Sequence, residues 1–219
     1  MTSGRGGGHV RVKTARNRSA QSTRWLARQL NDPYVKRAKA EGYRSRAAYK
    51  LIEIDEKTGI LKGVRAVVDL GIAPGGWAQV VRRKVPAAAI AGIDLLPVDP
   101  IEGVTILQMD FMADEAPALL MEALGGRAPD LVMSDMAANT VGHPQTDHLR
   151  TLALAEAAAE FAIEVLAPGG SFVAKVFQGG TDRDLLVRLK QAFATVKHVK
   201  PPSSRKGSPE LFVVAQGRK

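Results

Sequence analysis

The stretch 66–77, AVVDLGIAPGGW, decides the fold of this chain. It is an apolar run carrying one acid, followed by a glycine-rich turn that opens an amphipathic segment. Val67, Val68 and Leu70 read as a strand buried on both faces, with Asp69 near its carboxyl end, where open α/β sheets hold their ligands. Gly71, Gly75 and Gly76 let the backbone turn sharply and approach a ligand with no Cβ in the way, and Pro74 stiffens the turn.

Outward from this segment, the chain beyond Gly63 alternates short apolar runs with amphipathic ones, the pattern of a parallel sheet covered by helices on both faces. Strands are expected at 66–70, 89–94, 105–109, 131–134, 171–177, 195–200 and 211–215, with helices at 76–84, 116–124, 148–166 and 183–194. The last link, PPSSRKGSPE at 201–210, is too short for a helical crossover, so the seventh strand is expected to return antiparallel to the sixth. The fold class is therefore α/β, a seven-stranded and mostly parallel sheet with its last strand antiparallel.

Toward the N-terminus the reading is helical: one helix over 25–31, a second opened by Pro33, and a third capped by Ser45 and ended by Gly59. The third carries Ala48, Leu51, Ile52 and Ile54 on one face. Residues 1–21, rich in Gly, Arg and Ser, cannot bury enough apolar surface to order themselves in isolation. The expected organisation is a basic tail over 1–21 and one domain over 22–219, whose first part, 22–62, is a helical extension.

The 219 residues carry 31 Lys and Arg against 22 Asp and Glu, a formal net charge of +9. The excess is uneven: Arg5, Arg11, Lys13, Arg16, Arg18 and Arg24 occur within the first 24 residues with no acid. Such asymmetry favours a polyanion, nucleic acid before a membrane surface, over a merely solvated tail. No apolar leader and no run of about 20 apolar residues is present, so a cytoplasmic protein without membrane attachment is expected. The absence of cysteine removes thiol nucleophiles and thiolate metal sites. His9, His143, His148 and His198 lack zinc spacing, and no metal is expected.

A strand, glycine loop and helix can also cradle phosphate, but proline and alanine stand where G-x-G-x-x-G needs its second glycine, and no Lys-Ser/Thr follows as in a P-loop. A nucleoside-like cofactor without phosphate fits better, S-adenosylmethionine first, with a purely structural turn as the alternative. Three further acids follow strands at corresponding places: Asp94 in AGIDLL, Asp110 in LQMDF and Asp135 in VMSDMA. They should line one crevice. Asp94 suits a ribose diol and Asp110 an adenine amino group, although either alone could be a cap or a loop ion pair. Trp77 reads as core or as a wall of the cofactor cleft.

Taken together, SRAAYKL (45–51), VDLGIAPGGWAQV (68–80), GIDLLP (92–97), SDMAANTVG (134–142), AKVFQG (174–179) and KPPSSRKGSPELFVVA (200–215) resemble the FtsJ-like RNA ribose 2′-O-methyltransferases, especially bacterial members acting on a uridine of large-subunit ribosomal RNA. Ile72 and Ala138 depart from the alanine and proline common in close relatives. The resemblance implies a Rossmann-like methyltransferase fold, S-adenosylmethionine as cofactor, and a Lys-Asp-Lys-Glu tetrad at Lys50, Asp135, Lys175 and Glu210. It also implies cofactor contacts at Gly75, Gly76, Trp77, Asp94, Asp110 and Asp135. On this reading Lys175 is the base if it is neutral when it acts, or stabilises the alkoxide if it is charged, Asp135 orients it, and Lys50 with Glu210 positions the ribose and tunes the pair.

RNA phosphates would be held by Lys36, Arg37, Lys39, Arg44, Arg46, Arg205 and Lys206. The implied partner is ribosomal RNA, within the large subunit at a late stage of its assembly, and the enzyme is expected to be a monomer. The same chemistry on transfer RNA or another RNA, and a non-catalytic RNA-binding assembly factor, are the competing readings. A nicotinamide-dependent enzyme is disfavoured by the missing glycine.

Overall fold

The computed structural model describes residues 11, 14, 19–137, 144–178, 183–205 and 207–219. Every residue of the run at 66–70 is buried, and it forms the central strand β1 (Ala66–Leu70). The other strands are β2 (Ala89–Asp94), β3 (Val104–Gln108), β4 (Leu131–Ser134), β5 (Ser171–Phe177), β6 (Phe193–Val199) and β7 (Glu210–Arg218). Between and before them lie α1 (Ala20–Asn31), α2 (Pro33–Glu41), α3 (Ala48–Thr58), α4 (Gly76–Lys84), α5 (Ala116–Ala123), α6 (Pro144–Val165) and α7 (Arg183–Ala192).

The strand order is β3-β2-β1-β4-β5-β7-β6. β1 pairs in parallel with both β2 and β4, so the order reverses beside it and the crevice opens at its carboxyl end. β7 is antiparallel to β6, as its short link requires, and it also inserts between β6 and β5, antiparallel to both.

Side chains alternate across the strands and build two cores. Val68, Leu70, Ala91, Ile93, Phe172 and Ala174 pack with Leu120, Ala158, Phe161, Leu185 and Leu189 of α5, α6 and α7. On the other face Val67, Ile90, Met133, Val173 and Phe212 meet Leu51 and Ile54 of α3 and Trp77, Val80 and Val81 of α4. Alanine-rich α6 lies close to the sheet because Ala155, Ala158, Ala159 and Ala162 are all buried.

Several boundaries differ from the sequence expectation. α1 starts at Ala20 rather than at 25, since Ser19 caps it by accepting from the Ser22 amide at 3.2 Å. α3 starts at Ala48 without a side-chain cap, so Ser45 is not its cap; the Ser45 hydroxyl is buried with no hydrogen-bond partner. β3 lies one residue earlier than expected, and β7 continues to Arg218. Of the basic tail only residues 11, 14 and 19–21 fall among those described, so the expectation of disorder there lies outside the described residues. Among the described residues no helix is long and apolar enough to cross a membrane.

Candidate active site

The turn after β1 is packed closely by its neighbours. Gly71 has φ 79°, and a Cβ there would meet Met136 Cγ at 2.8 Å; Gly75 has φ 106°, and a Cβ would meet Ile101 Cδ1 at 2.5 Å. Both positions require glycine for backbone shape and for internal packing. The peptide bond between Ala73 and Pro74 is cis. Arg44, expected to bind RNA, instead clamps this turn: its guanidinium donates to the carbonyls of Pro74 at 3.2 Å, Asp99 at 2.6 Å and Pro100 at 2.8 Å. Three of its five N–H donors thus go to the scaffold of the turn, a role the sequence expectation of RNA binding did not include.

Of the two readings of Trp77, core and cleft wall, its side chain takes the first. Its side chain is 3% exposed, its indole N–H donates to the Ala47 carbonyl at 2.8 Å, and its ring lies 5.6 Å from that of Phe212. Trp77 can offer the crevice only its backbone, in the first turn of α4, where N–H groups have no intrahelical acceptor. Gly76 is buried at the same turn, and a Cβ there would meet Ser45 Oγ at 2.6 Å.

Asp94 ties the turn to β2. Its Oδ2 accepts from the Ala73 amide at 2.8 Å and its Oδ1 from the Leu96 amide at 2.9 Å. Each oxygen keeps a second acceptor site, so the carboxylate can still take a diol. Asp110 lies two residues beyond β3, is exposed, and accepts from the Met112 amide at 2.9 Å. Beneath them Asp69 is 1% exposed, and its Oδ2 has no hydrogen-bond partner. Burial, then the nearby charges of Asp135 and Asp94, push its carboxyl well above the usual range, although the Ala78 amide opposes this.

A raised carboxyl favours the protonated form in the folded state. Its stabilising share is complete below the unfolded carboxylate value of about 3.9 and is lost as pH rises through the folded value. Asp69→Asn, which keeps the acceptor for Ala78, should therefore raise Tm relative to wild type at pH 8, with the gap closing toward pH 4. Thermal melts across that range check it, and a constant gap would refute the assignment.

The tetrad converges from four elements on the α3/α4 side of the sheet. Lys50 stands on α3, Asp135 follows β4, Lys175 is on β5 and Glu210 begins β7. Lys50 Nζ lies 2.8 Å from Glu210 Oε2 and 3.4 Å from Asp135 Oδ2. Lys175 Nζ lies 3.1 Å from Asp135 Oδ1 and donates to the Asp135 carbonyl at 2.6 Å. The register that pairs Lys175 with Phe212 and Phe177 with Glu210 brings the acid within reach of Lys50. Lys50 also sits 5.5 Å over the Phe212 ring.

The electrostatics follow from this chain of alternating charge. Burial pushes Asp135 up, but the ammoniums of Lys175 and Lys50 outweigh it and hold the carboxyl below its ordinary value. Burial pulls Lys50 down, and the facing Asp135 and Glu210 outweigh that, leaving its ammonium raised. Two cations and two anions thus compensate one another beside the crevice that the glycine turn opens.

Residues 43–218 match the FtsJ-like methyltransferase family. This chain belongs to that family. Relatives named ribosomal RNA large subunit methyltransferase E include one from Sphingopyxis alaskensis, 75% identical over 99% of this chain and 94% of its own length. Another from Erythrobacter litoralis is 76% identical over 95% of this chain and 94% of its own length. A crystal structure of a putative ribosomal RNA methyltransferase from Plasmodium falciparum superposes with a TM-score of 0.71 at 32% identity, covering 80% of this chain and 98% of the other.

FtsJ-like methyltransferases take their methyl group from S-adenosylmethionine, and the residues here fit it. The buried Asp69 carboxyl keeps an unpartnered oxygen beside the glycine turn, the first-turn amides of α4 lack intrahelical acceptors, and Asp94, Asp110 and Asp135 stand at or just beyond the carboxyl ends of β2, β3 and β4.

Beyond the tetrad, a cavity of about 280 Å³ separates α1 and α3 from the link between β6 and β7, lined among others by Ser45, Arg46, Lys50, Ser204, Arg205 and Glu210. Arg46 and Arg205 converge on one buried carboxylate, Asp32, with Arg205 Nη2 at 3.4 Å. Arg46 also donates to the Ser203 carbonyl. Arg37 pairs with Glu41 at 2.7 Å and stacks 4.6 Å over Tyr49, while Lys36 and Lys39 are exposed on the same helix. Lys206 lies outside the described residues. The sequence reading did not single out Asp32 or Glu53. Glu53 accepts from both the Ser203 amide at 2.7 Å and its hydroxyl at 2.6 Å. Asp69 was noticed as a strand-end acid but not as a site residue; its proximity to the glycine turn was the available signal.

Proposed function

We propose that this protein transfers the methyl group of S-adenosylmethionine to the 2′-hydroxyl of a uridine ribose in large-subunit ribosomal RNA. The observation that carries the reading is the chain of contacts from Lys175 through Asp135 to Lys50 and Glu210, the last two of which line the cavity beyond. When bound, S-adenosylmethionine supplies an electrophilic methyl group. Lys175, once it has released its own proton, accepts that of the ribose hydroxyl, and Asp135 fixes its direction and stabilises the positive charge that develops on it. Lys50, braced by Glu210, positions the ribose so that the oxygen lies in line with the methyl group.

Gly75, Gly76 and the Trp77 backbone hold the cofactor from the turn, and Asp94, Asp110 and Asp135 hold it from the strand ends. Lys36, Arg37, Lys39, Arg46, Arg205 and Lys206 gather RNA phosphates, helped by the basic N-terminal tail. The relatives' names support the large ribosomal subunit as partner. The enzyme acts as a cytoplasmic monomer, late in subunit assembly.

The test is nucleoside mass spectrometry on large subunits from a strain lacking the gene, before and after incubation with the purified protein and S-adenosylmethionine. One 2′-O-methyluridine should be missing from the deletion strain and restored in vitro. A methyl group on a base, or an unchanged ribosomal map, would reject the reading.

A further inference from the structure

We infer that Ser204 is a positioning residue for methyl transfer, acting through Glu210. Ser204 is 6% exposed, and its hydroxyl donates to Glu210 Oε1 at 2.9 Å while Lys50 occupies Oε2 at 2.8 Å. The two carboxylate oxygens are thus held from opposite sides, which fixes the plane of the group. Without the hydroxyl, Glu210 could rotate about its terminal torsion, which is soft for this side chain, and Lys50 would lose its fixed brace.

The hydroxyl can hold that plane because its own loop is anchored to the helical extension. Ser203, one residue earlier, gives both its amide and its hydroxyl to Glu53 Oε2 on α3, and Arg46 takes the Ser203 carbonyl. The Ser204 amide closes a turn by donating to the Pro201 carbonyl at 2.9 Å. On the far side the Glu210 amide donates to the Ser208 hydroxyl at 3.2 Å. Ser204 and Glu210 therefore face each other from backbone that is tied, through Ser203 and Glu53, to the same helix that carries Lys50.

The inference rests on the reading that Glu210 serves the reaction through Lys50. Ser204→Ala and Ser204→Thr are compared with wild type in full-length protein, in single-turnover methylation of large subunits, with KM for S-adenosylmethionine and Tm measured alongside. Ser204→Ala should slow transfer about tenfold, the worth of one hydrogen bond to a charged group. KM for the cofactor should be unchanged, and threonine, which keeps the hydroxyl, should restore most of the rate. Combined with Glu210→Ala, the Ser204→Ala change should add nothing further.

Wild-type rates in Ser204→Ala, or an equal loss with and without Glu210, would overturn the inference. The rates are read on whichever methylated nucleoside the wild type produces. An error about the ribose acceptor would appear in that product and leave the Ser204 comparison standing.

Discussion

Lys175→Ala should slow single-turnover methyl transfer by about 10²–10⁴-fold, the range by which a positioned acid or base contributes. Binding of S-adenosylmethionine should persist, because the glycine turn and Asp94 do not depend on the lysine: the turn is held by Met136, Ile101 and Arg44, and Asp94 by Ala73 and Leu96. The fold should also survive, since Asp135 keeps Lys50 as a partner at 3.4 Å. Separate measurements of cofactor binding by calorimetry and of transfer under single-turnover conditions distinguish this outcome from general damage. Transfer near the wild-type rate would remove Lys175 from the mechanism.

Asp135→Ala should be the most damaging change to stability within the tetrad. The Asp135 side chain is 17% exposed and lies between two ammoniums that are themselves 13% and 7% exposed. Taking it away leaves Lys175 without a carboxylate and Lys50 with Glu210 alone. Removing one partner of a buried pair costs about 3–5 kcal/mol, which for a chain of this size corresponds to a fall in Tm of roughly 6–20 °C. A loss under about 1 kcal/mol, typical of surface pairs, would mean that solvent screens the site.

The pH dependence has a definite sign. Asp135 is depressed in the folded state, so its stabilising share is present above the unfolded value of about 3.9 and is lost as pH falls through the lower folded value. Asp135→Asn should flatten that acid limb. Asp69, raised rather than depressed, works in the opposite sense on the alkaline side.

The elements read best from sequence were those whose burial is complete. β1, β2, β4 and β5 fall at the expected residues because their apolar runs are buried nearly throughout, and α4 because glycine marks its start. β3 alternates partly buried and exposed residues, so its apolar signal is weak, and β7 runs on through Gln216, Gly217 and Arg218, held by backbone pairing rather than by hydrophobicity. Ser19, Ala20 and Gln21 carry no apolar periodicity and so hide the start of α1, where a cap carries the information.

The tetrad was legible through motifs, and its four members meet in space. Its supports were less so. Nothing in the spelling of Arg44 separates an RNA contact from a scaffold clamp, because the choice depends on carbonyls about 55 residues away that accept its protons. The partnership of Glu53 with Ser203 spans 150 residues and exists only after the sheet has closed.

The placement of β7 also sets a schedule. This strand follows the other six in the described order yet sits inside the sheet, between two strands that do not pair with each other, and it delivers Glu210. The glycine turn and the pairing of Asp135 with Lys175 are built from elements that precede β7, whereas the brace on Lys50 comes from β7 itself. Lys50 therefore gains its second carboxylate only once β7 has taken its place between β5 and β6, which ties one half of the site to closure of the far edge of the sheet.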